Sequence, residues 1–137
     1  VLKPGGWIVL EEPDFSASRG IAGTAAQLAA MQHINQAIHR MYESRGMDYA
    51  LGFTLLPLLQ ERGLCDLSME NDAPVSVGGS GLAKMMAMSA RQLREKYLAT
   101  GVVSDADLQR YGECAEDPQS RAVYYATVAV AGRKPVE

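Results

Sequence analysis

The run Ala122-Val-Tyr-Tyr-Ala-Thr-Val-Ala-Val-Ala131 constrains this chain more than any other segment. Both of its alternating sets are largely apolar, so a strand built from it is expected to be covered on both faces. A second such run, Trp7-Ile8-Val9-Leu10, lies near the other end and is likewise predicted to be buried on both sides. Between them, Leu64 to Val75 alternates, with Cys65, Leu67 and Met69 on one face and Asp66, Ser68 and Glu70 on the other. That is the pattern of a half-exposed edge strand. A buried last strand beside an exposed edge strand has a simple geometric solution. The last strand returns and inserts between the first two, and helices cover the faces.

The punctuation fills in the rest. Lys3-Pro4-Gly5-Gly6 reads as a type II turn, with Pro presetting φ and Gly supplying the positive φ. Pro13, within Glu11-Glu12-Pro13-Asp14, is expected to end the first strand because it cannot donate a ladder bond. Residues 15–23 read as a small-residue loop. Thr24 to Arg45 is helical in period, with Leu28, Met31, Ile34, Ile38, Met41 and Tyr42 on one stripe and Gly46 closing it. A short helix is predicted from Leu55 to Arg62, capped by Thr54, with Pro57 in its first turn and Gly63 as its stop. Ser76 to Gly81 reads as a flexible loop. Ser80 then caps a helix from Leu82 to Ala99, with Leu82, Met85, Met86, Leu93 and Tyr97 inward, and Gly101 ends it. Ser104-x-x-Asp107 resembles a capping box and opens a helix to Glu116, which Pro118 terminates.

Composition narrows the class. With 137 residues, 47% apolar and 21% charged, the chain has the make-up of one ordinary globular domain, not of a disordered, collagen-like or disulfide-scaffolded protein. A net charge of −3 offers no bulk attraction for nucleic acid or an anionic membrane. No apolar run approaches the roughly 18 residues of a membrane helix. Cys65 and Cys114 match no metal or redox spacing and read as reduced core thiols of a cytoplasmic protein.

Three segments, in order, resemble a known family. Leu2-Lys3-Pro4-Gly5-Gly6-Trp7-Ile8-Val9-Leu10-Glu11-Glu12 resembles the turn and fifth strand of class I S-adenosylmethionine-dependent methyltransferases. Leu55-Leu56-Pro57-Leu58-Leu59-Gln60-Glu61-Arg62-Gly63-Leu64 is similar to the helix, glycine stop and sixth strand that follow. Val128-Ala129-Val130-Ala131-Gly132-Arg133-Lys134-Pro135 looks like the seventh strand and its basic tail. The resemblance implies an α/β fold, the C-terminal portion of a doubly wound, Rossmann-like sheet. Three strands are then expected here, the last antiparallel and central. Residues 15–50 and 78–118 become helical insertions that cap a substrate pocket.

The family holds S-adenosylmethionine on a Gly-rich loop after its first strand and an acidic residue ending its second. Neither falls within these residues, so no cofactor-binding residue is carried over and none is expected bound to this chain. The sequence also opens without an initiator Met, inside a turn. Residues 1–137 are therefore expected to be a single partial domain, inactive alone. Its implied partners are a small-molecule methyl acceptor and a second copy. Dimerisation is expected through the open strand edge or through exchanged helices from 15–50.

Candidate site residues are few. Glu11, Glu12 and Asp14 close the first strand, and ligands of open α/β sheets bind beyond the carboxyl ends of strands. Glu12 and Asp14 are the stronger substrate-binding candidates. His33 and His39 point about 120° apart on a helix, so they cannot grip one metal. His33, nearer the apolar stripe, is the better candidate base or substrate contact. Gly78-Gly79-Ser80-Gly81 lacks the Lys of a P-loop and reads as loop plus cap. Met85, Met86 and Met88 read as core, with an adaptable pocket as the alternative. Two rival functions stand beside the methyltransferase: a non-catalytic ligand-binding or dimerisation module, and an α+β enzyme using His33 with Glu12. Methyl transfer needs in-line approach and exclusion of water, so a missing acid–base motif is compatible with it.

Overall fold

A computed structural model describes residues 2–136. The first strand, β1 (Trp7–Asp14), is longer than predicted. Pro13 lies within it, opposite Thr127, because β1 is an edge strand and an edge tolerates a residue without an N–H. Residues 15–23, predicted as a loop, fold instead into a 3-10 turn (Phe15–Ala17) and strand β2 (Arg19–Ala22). Helix α1 (Ala25–Glu43) follows, opened by a reciprocal capping box between Thr24 and Gln27. Then come α2 (Leu51–Glu61), β3 (Cys65–Asp72) and β4 (Ser76–Val77), the last within the segment predicted as a flexible loop. Three helices, α3 (Gly81–Gln92), α4 (Arg94–Ala99) and α5 (Asp105–Glu116), precede β5 (Arg121–Val123) and β6 (Ala126–Arg133).

Two antiparallel sheets result. In the first the order is β1-β6-β3, with the last strand in the middle and antiparallel to both neighbours. This is the insertion expected from the hydropathy of the three segments. Ala126, Val128, Val130 and Gly132 of β6 point to one face and are buried. There they meet Leu55 and Leu59 of α2, with Ile8, Leu10, Leu67 and Met69 around them. The opposite face departs from expectation. Trp7 is 56% and Val9 68% exposed, so β1 is covered on one side only. The residues between those of the covered face on β6 (Thr127, Ala129, Ala131) are half-buried.

The second sheet, β2-β5-β4, was not foreseen. The apolar run Ala122–Ala131 is broken at Tyr124 and Tyr125, and its two parts join different sheets. Period-two patterning continues across that break, so composition alone conceals it. Gly20 lets β2 press against α1, because a Cβ there would come within 2.6 Å of Leu28 Cδ2.

A second core fills the space between α1, α3, α4, α5 and β5, with Met31, Ile34, Met86, Tyr97, Tyr111 and Cys114 at its centre. The helix predicted from Leu82 to Ala99 is interrupted at Leu93. Met86 is buried, but Met85 and Met88 are exposed, so Met85 does not face inward as expected. Both cysteines are free, Cys114 buried and Cys65 half-buried.

Helix α2 starts one turn earlier than Thr54 suggests. Its third residue, Phe53, donates its N–H to Asp14 Oδ2 at 3.0 Å, so a side chain from β1 substitutes for a local cap. Thr54 instead donates from its hydroxyl to the Leu51 carbonyl and to Asp48. Pro57 sits mid-helix and forfeits one intrahelical bond. Gly52 allows the contact, since a Cβ there would lie 2.9 Å from both Asp14 Cβ and Val128 Cγ2.

Asp14 is therefore a structural tie, and Asp14→Ala is expected to cost about 1–3 kcal/mol through lost acceptors for the Ser16 and Phe53 amides. The urea midpoint measures it, and an unchanged midpoint contradicts the assignment.

Candidate functional site

A groove of about 500 Å³ opens directly after the carboxyl end of β1. Its floor is the 3-10 turn and the start of β2, which contribute Phe15, Ser16, Ser18, Arg19 and Gly20. One wall is the face of α1 that flanks its apolar stripe, where Leu28, Gln32, Asn35, Gln36 and His39 recur at helical spacing. Tyr49, from the α1–α2 connection, closes the end. The volume lies within the roughly 300–1,000 Å³ of small-molecule sites.

Its walls are braced. The Phe15 ring is held edge-on against Tyr42 and Tyr125, with centroids 5.8 and 5.7 Å away. Phe15 N–H donates to the Tyr49 carbonyl at 3.0 Å. Tyr49 lies against His39 with ring centroids 4.0 Å apart. His39 Nε2 is 3.3 Å from Glu43 Oε1, one helical turn on. Ser16 donates from both its N–H and its hydroxyl to Asp14 Oδ1, and the Ser18 hydroxyl donates to the Tyr124 carbonyl.

The three residues singled out from the sequence do not converge here. Asp14 is fully buried behind Ser16, with both oxygens occupied by backbone or hydroxyl donors. Glu12 is half-buried on the face of β1 that carries Ile8 and Leu10, and does not line the groove. His33 lies elsewhere on α1, its Nδ1 3.1 Å from Asp107 Oδ1 but off the line of a good hydrogen bond. The histidine the groove does contain is His39, which the sequence reading ranked second. The spacing of Gln32, Asn35, Gln36 and His39 along one flank of the apolar stripe was the available signal. The i, i+4 pair His39 and Glu43 was another.

Other candidates resolve into structure. Gly78 is buried where a Cβ would fall 2.0 Å from the Asp117 carbonyl oxygen, and Ser80 caps α3 at Ala83 N–H, which agrees with loop plus cap. None of the methionines lines the groove at β1. A smaller recess gathers Arg40, Arg45 and Lys96 at the ends of α1 and α4, where cations meet helix C-terminal carbonyls. Arg40 Nη1 donates to the Thr100 carbonyl there at 2.9 Å. Burial first, then the nearby Tyr42, pushes the Tyr97 phenol up to about 12. Burial first, then Cys114, does the same at Tyr124, to about 12. Both phenols stay protonated near neutral pH. Among the described residues no group of three or more His, Cys, Asp or Glu side chains is placed to hold a metal ion. No described helix is long and apolar enough to cross a membrane.

No protein-family model matches the sequence, and no curated protein matches it significantly. The class the fold and site define is thus a mixed α/β protein with a small-molecule-sized groove at a strand's carboxyl end.

Asp107 has its own consequence for stability. Burial alone would raise its pKa, but the Ser104 hydroxyl and N–H, and then His33, outweigh burial and hold the carboxyl below its usual value. A carboxyl lowered in the folded state stabilises fully above its unfolded pKa of about 3.9 and loses that contribution as pH falls through the folded value. Asp107→Ala is therefore expected to cost about 1 kcal/mol at neutral pH, the size of a lost helix cap. The difference from the parent should shrink in acid. Urea titrations at pH 7 and pH 3 measure it, and a pH-independent difference contradicts the assignment.

Proposed function

We propose that this chain supplies the last strands and the substrate cap of an S-adenosylmethionine-dependent methyltransferase acting on a small molecule in the cytoplasm. The observation that carries the reading is the order β1-β6-β3, in which a last, antiparallel strand separates two strands that run parallel to each other. The resembled family ends its doubly wound sheet in that way. Two further observations support it. The bare face at Trp7 and Val9 suits a covering layer contributed by residues outside this sequence. The groove lies beyond the carboxyl end of β1, where open α/β sheets bind their ligands.

In this reading 15–50 and 78–118 form the cap, and α1 provides its groove-facing wall. The chain's own residues would bind and orient the acceptor and keep water from it. The described residues do not fit the cofactor. No Gly-rich turn among them follows a buried parallel strand, and Asp14 is committed to backbone donors. The groove also suits the second reading, a non-catalytic ligand-binding or dimerisation module, because no carboxylate lines it.

The two readings separate in one experiment. The coding sequence upstream of Val1 is read and the longer protein expressed. Isothermal titration with S-adenosylmethionine is expected to show micromolar binding by the longer protein and none by residues 1–137. Micromolar binding by residues 1–137 alone, or an upstream sequence lacking a strand followed by a Gly-rich turn, overturns the methyltransferase reading.

The same reading leaves the outer edge of β1 without a partner strand among the described residues. With Trp7 and Val9 exposed, that edge is a template for pairing with a second copy. Light scattering at high concentration is expected to give a dimer, and Val9→Lys to return it to monomer. A monomer at every concentration contradicts it.

A further inference from the structure

We propose that the groove after β1 is a binding site for a small hydroxylated aromatic carboxylate. The sign of the ligand's charge follows from the lining. Its charged or titratable side chains are Arg19, His39 and the Tyr49 phenol, with no carboxylate among them. The carboxylates next to lining residues are engaged with protein groups: Asp48, beside Tyr49, accepts from the Ala50 N–H and the Thr54 hydroxyl. Asp14 is buried behind Ser16 and accepts from Ser16 and Phe53. Glu43 faces His39 Nε2.

Arg19 is held but not neutralised. Its Nε donates to the Ala17 carbonyl at 3.3 Å, and no carboxylate among the described residues pairs with its guanidinium. The terminal nitrogens remain for a ligand, and a guanidinium presents them as a planar fork that matches a carboxylate bidentately.

The aromatic part of the assignment follows from the walls. Phe15 and Tyr49 are large, flat and already braced by neighbours, so a planar ligand packs on them with little further loss of side-chain freedom. Leu28 adds an aliphatic contact. The hydroxyl is assigned from hydrogen-bond direction. Ser16 and Ser18 both spend their hydroxyl protons inward, on Asp14 and on the Tyr124 carbonyl. What they offer a ligand is oxygen lone pairs, which accept from a donor such as a phenol. The carboxamides of Gln32, Asn35 and Gln36 can serve either polarity. Binding of such a ligand stands on these contacts alone. Its role as methyl acceptor rests on the reading proposed above.

The test uses residues 1–137 labelled with ¹⁵N and titrated with 4-hydroxyphenylacetate. Tyramine, which carries an ammonium on a similar ring and side chain, is the charge control, and cyclohexylacetate is the ring control. Saturable shifts are expected at the backbone amides of Ser16 to Gly20 and Gln32 to His39, with tyramine giving none there. Cyclohexylacetate should bind at least tenfold more weakly. Arg19→Gln, a change at an exposed side chain, is expected to weaken 4-hydroxyphenylacetate binding at least tenfold while the remaining amide shifts stay in place. Equal response to tyramine, an unchanged affinity in Arg19→Gln, or shifts confined to other surfaces overturns the site. The two proposals fail separately. A longer protein that binds S-adenosylmethionine while the groove binds no 4-hydroxyphenylacetate sinks the site alone. Saturable groove binding, with no S-adenosylmethionine binding by the longer protein, upholds the site and sinks only the methyltransferase.

Discussion

The arrangement hangs on one buried carboxylate. Asp14 terminates β1 at zero exposure, where an unpaired charge would be costly. It is stabilised by donors from two directions: the amide and hydroxyl of Ser16, within the 3-10 turn, and the amide of Phe53, in the first turn of α2. One side chain therefore fixes how the chain leaves the first sheet and where the helix covering that sheet begins. Gly52 is its necessary companion, because any larger residue would hold α2 away from Asp14 and Val128. The groove inherits this precision. Phe15 and Ser16 are placed by the same turn, and the Phe15 amide secures Tyr49 on the far side.

The last strand performs the complementary task. β5 and β6 are nearly continuous in sequence, yet they belong to different sheets, with Tyr124 and Tyr125 at the junction. Tyr125 braces Phe15 from below, and the Tyr124 carbonyl takes the Ser18 hydroxyl proton. The strand that completes the first sheet thus also supports the groove floor, and the two cores are joined through it.

This explains which parts of the fold were legible in the sequence. The central place of the last strand could be read because burial on β6 and alternation on β3 are properties of single segments. Helices α1 and α5 were legible for the same reason, α1 through its apolar stripe and α5 through its capping box. What stayed hidden depends on distant partners. β2 contains two small residues and becomes a strand only because β5 lies beside it. The start of α2 is set by Asp14, 39 positions away in the chain. β1 is covered on one side only, because an apolar run states that burial is favourable, not that a partner is present. At the site, Asp14 was chosen for its position at a strand end. That position proved important, but through backbone donors that local sequence does not reveal. His33 ranks ahead of His39 when nearness to the apolar stripe is the criterion, yet it is the face of α1 carrying His39 that forms the groove wall.

The bare face of the first sheet and the groove sit on different sides of the same constraint. The side of β1 that carries Leu10 and Glu12 ends in Asp14 and leads into the braced turn and the groove. The side that carries Trp7 and Val9 meets nothing among the described residues that buries it. Burying an apolar side chain of this size is worth about 1.5–3 kcal/mol, so two such residues left in water represent a sizeable unrealised stabilisation. A covering layer on that side would reach the sheet without disturbing Asp14 or the Phe53 amide it accepts from, because Asp14 projects from the opposite face of β1. The groove therefore has its walls within these elements, while the sheet beside it lacks a cover on the side of Trp7 and Val9.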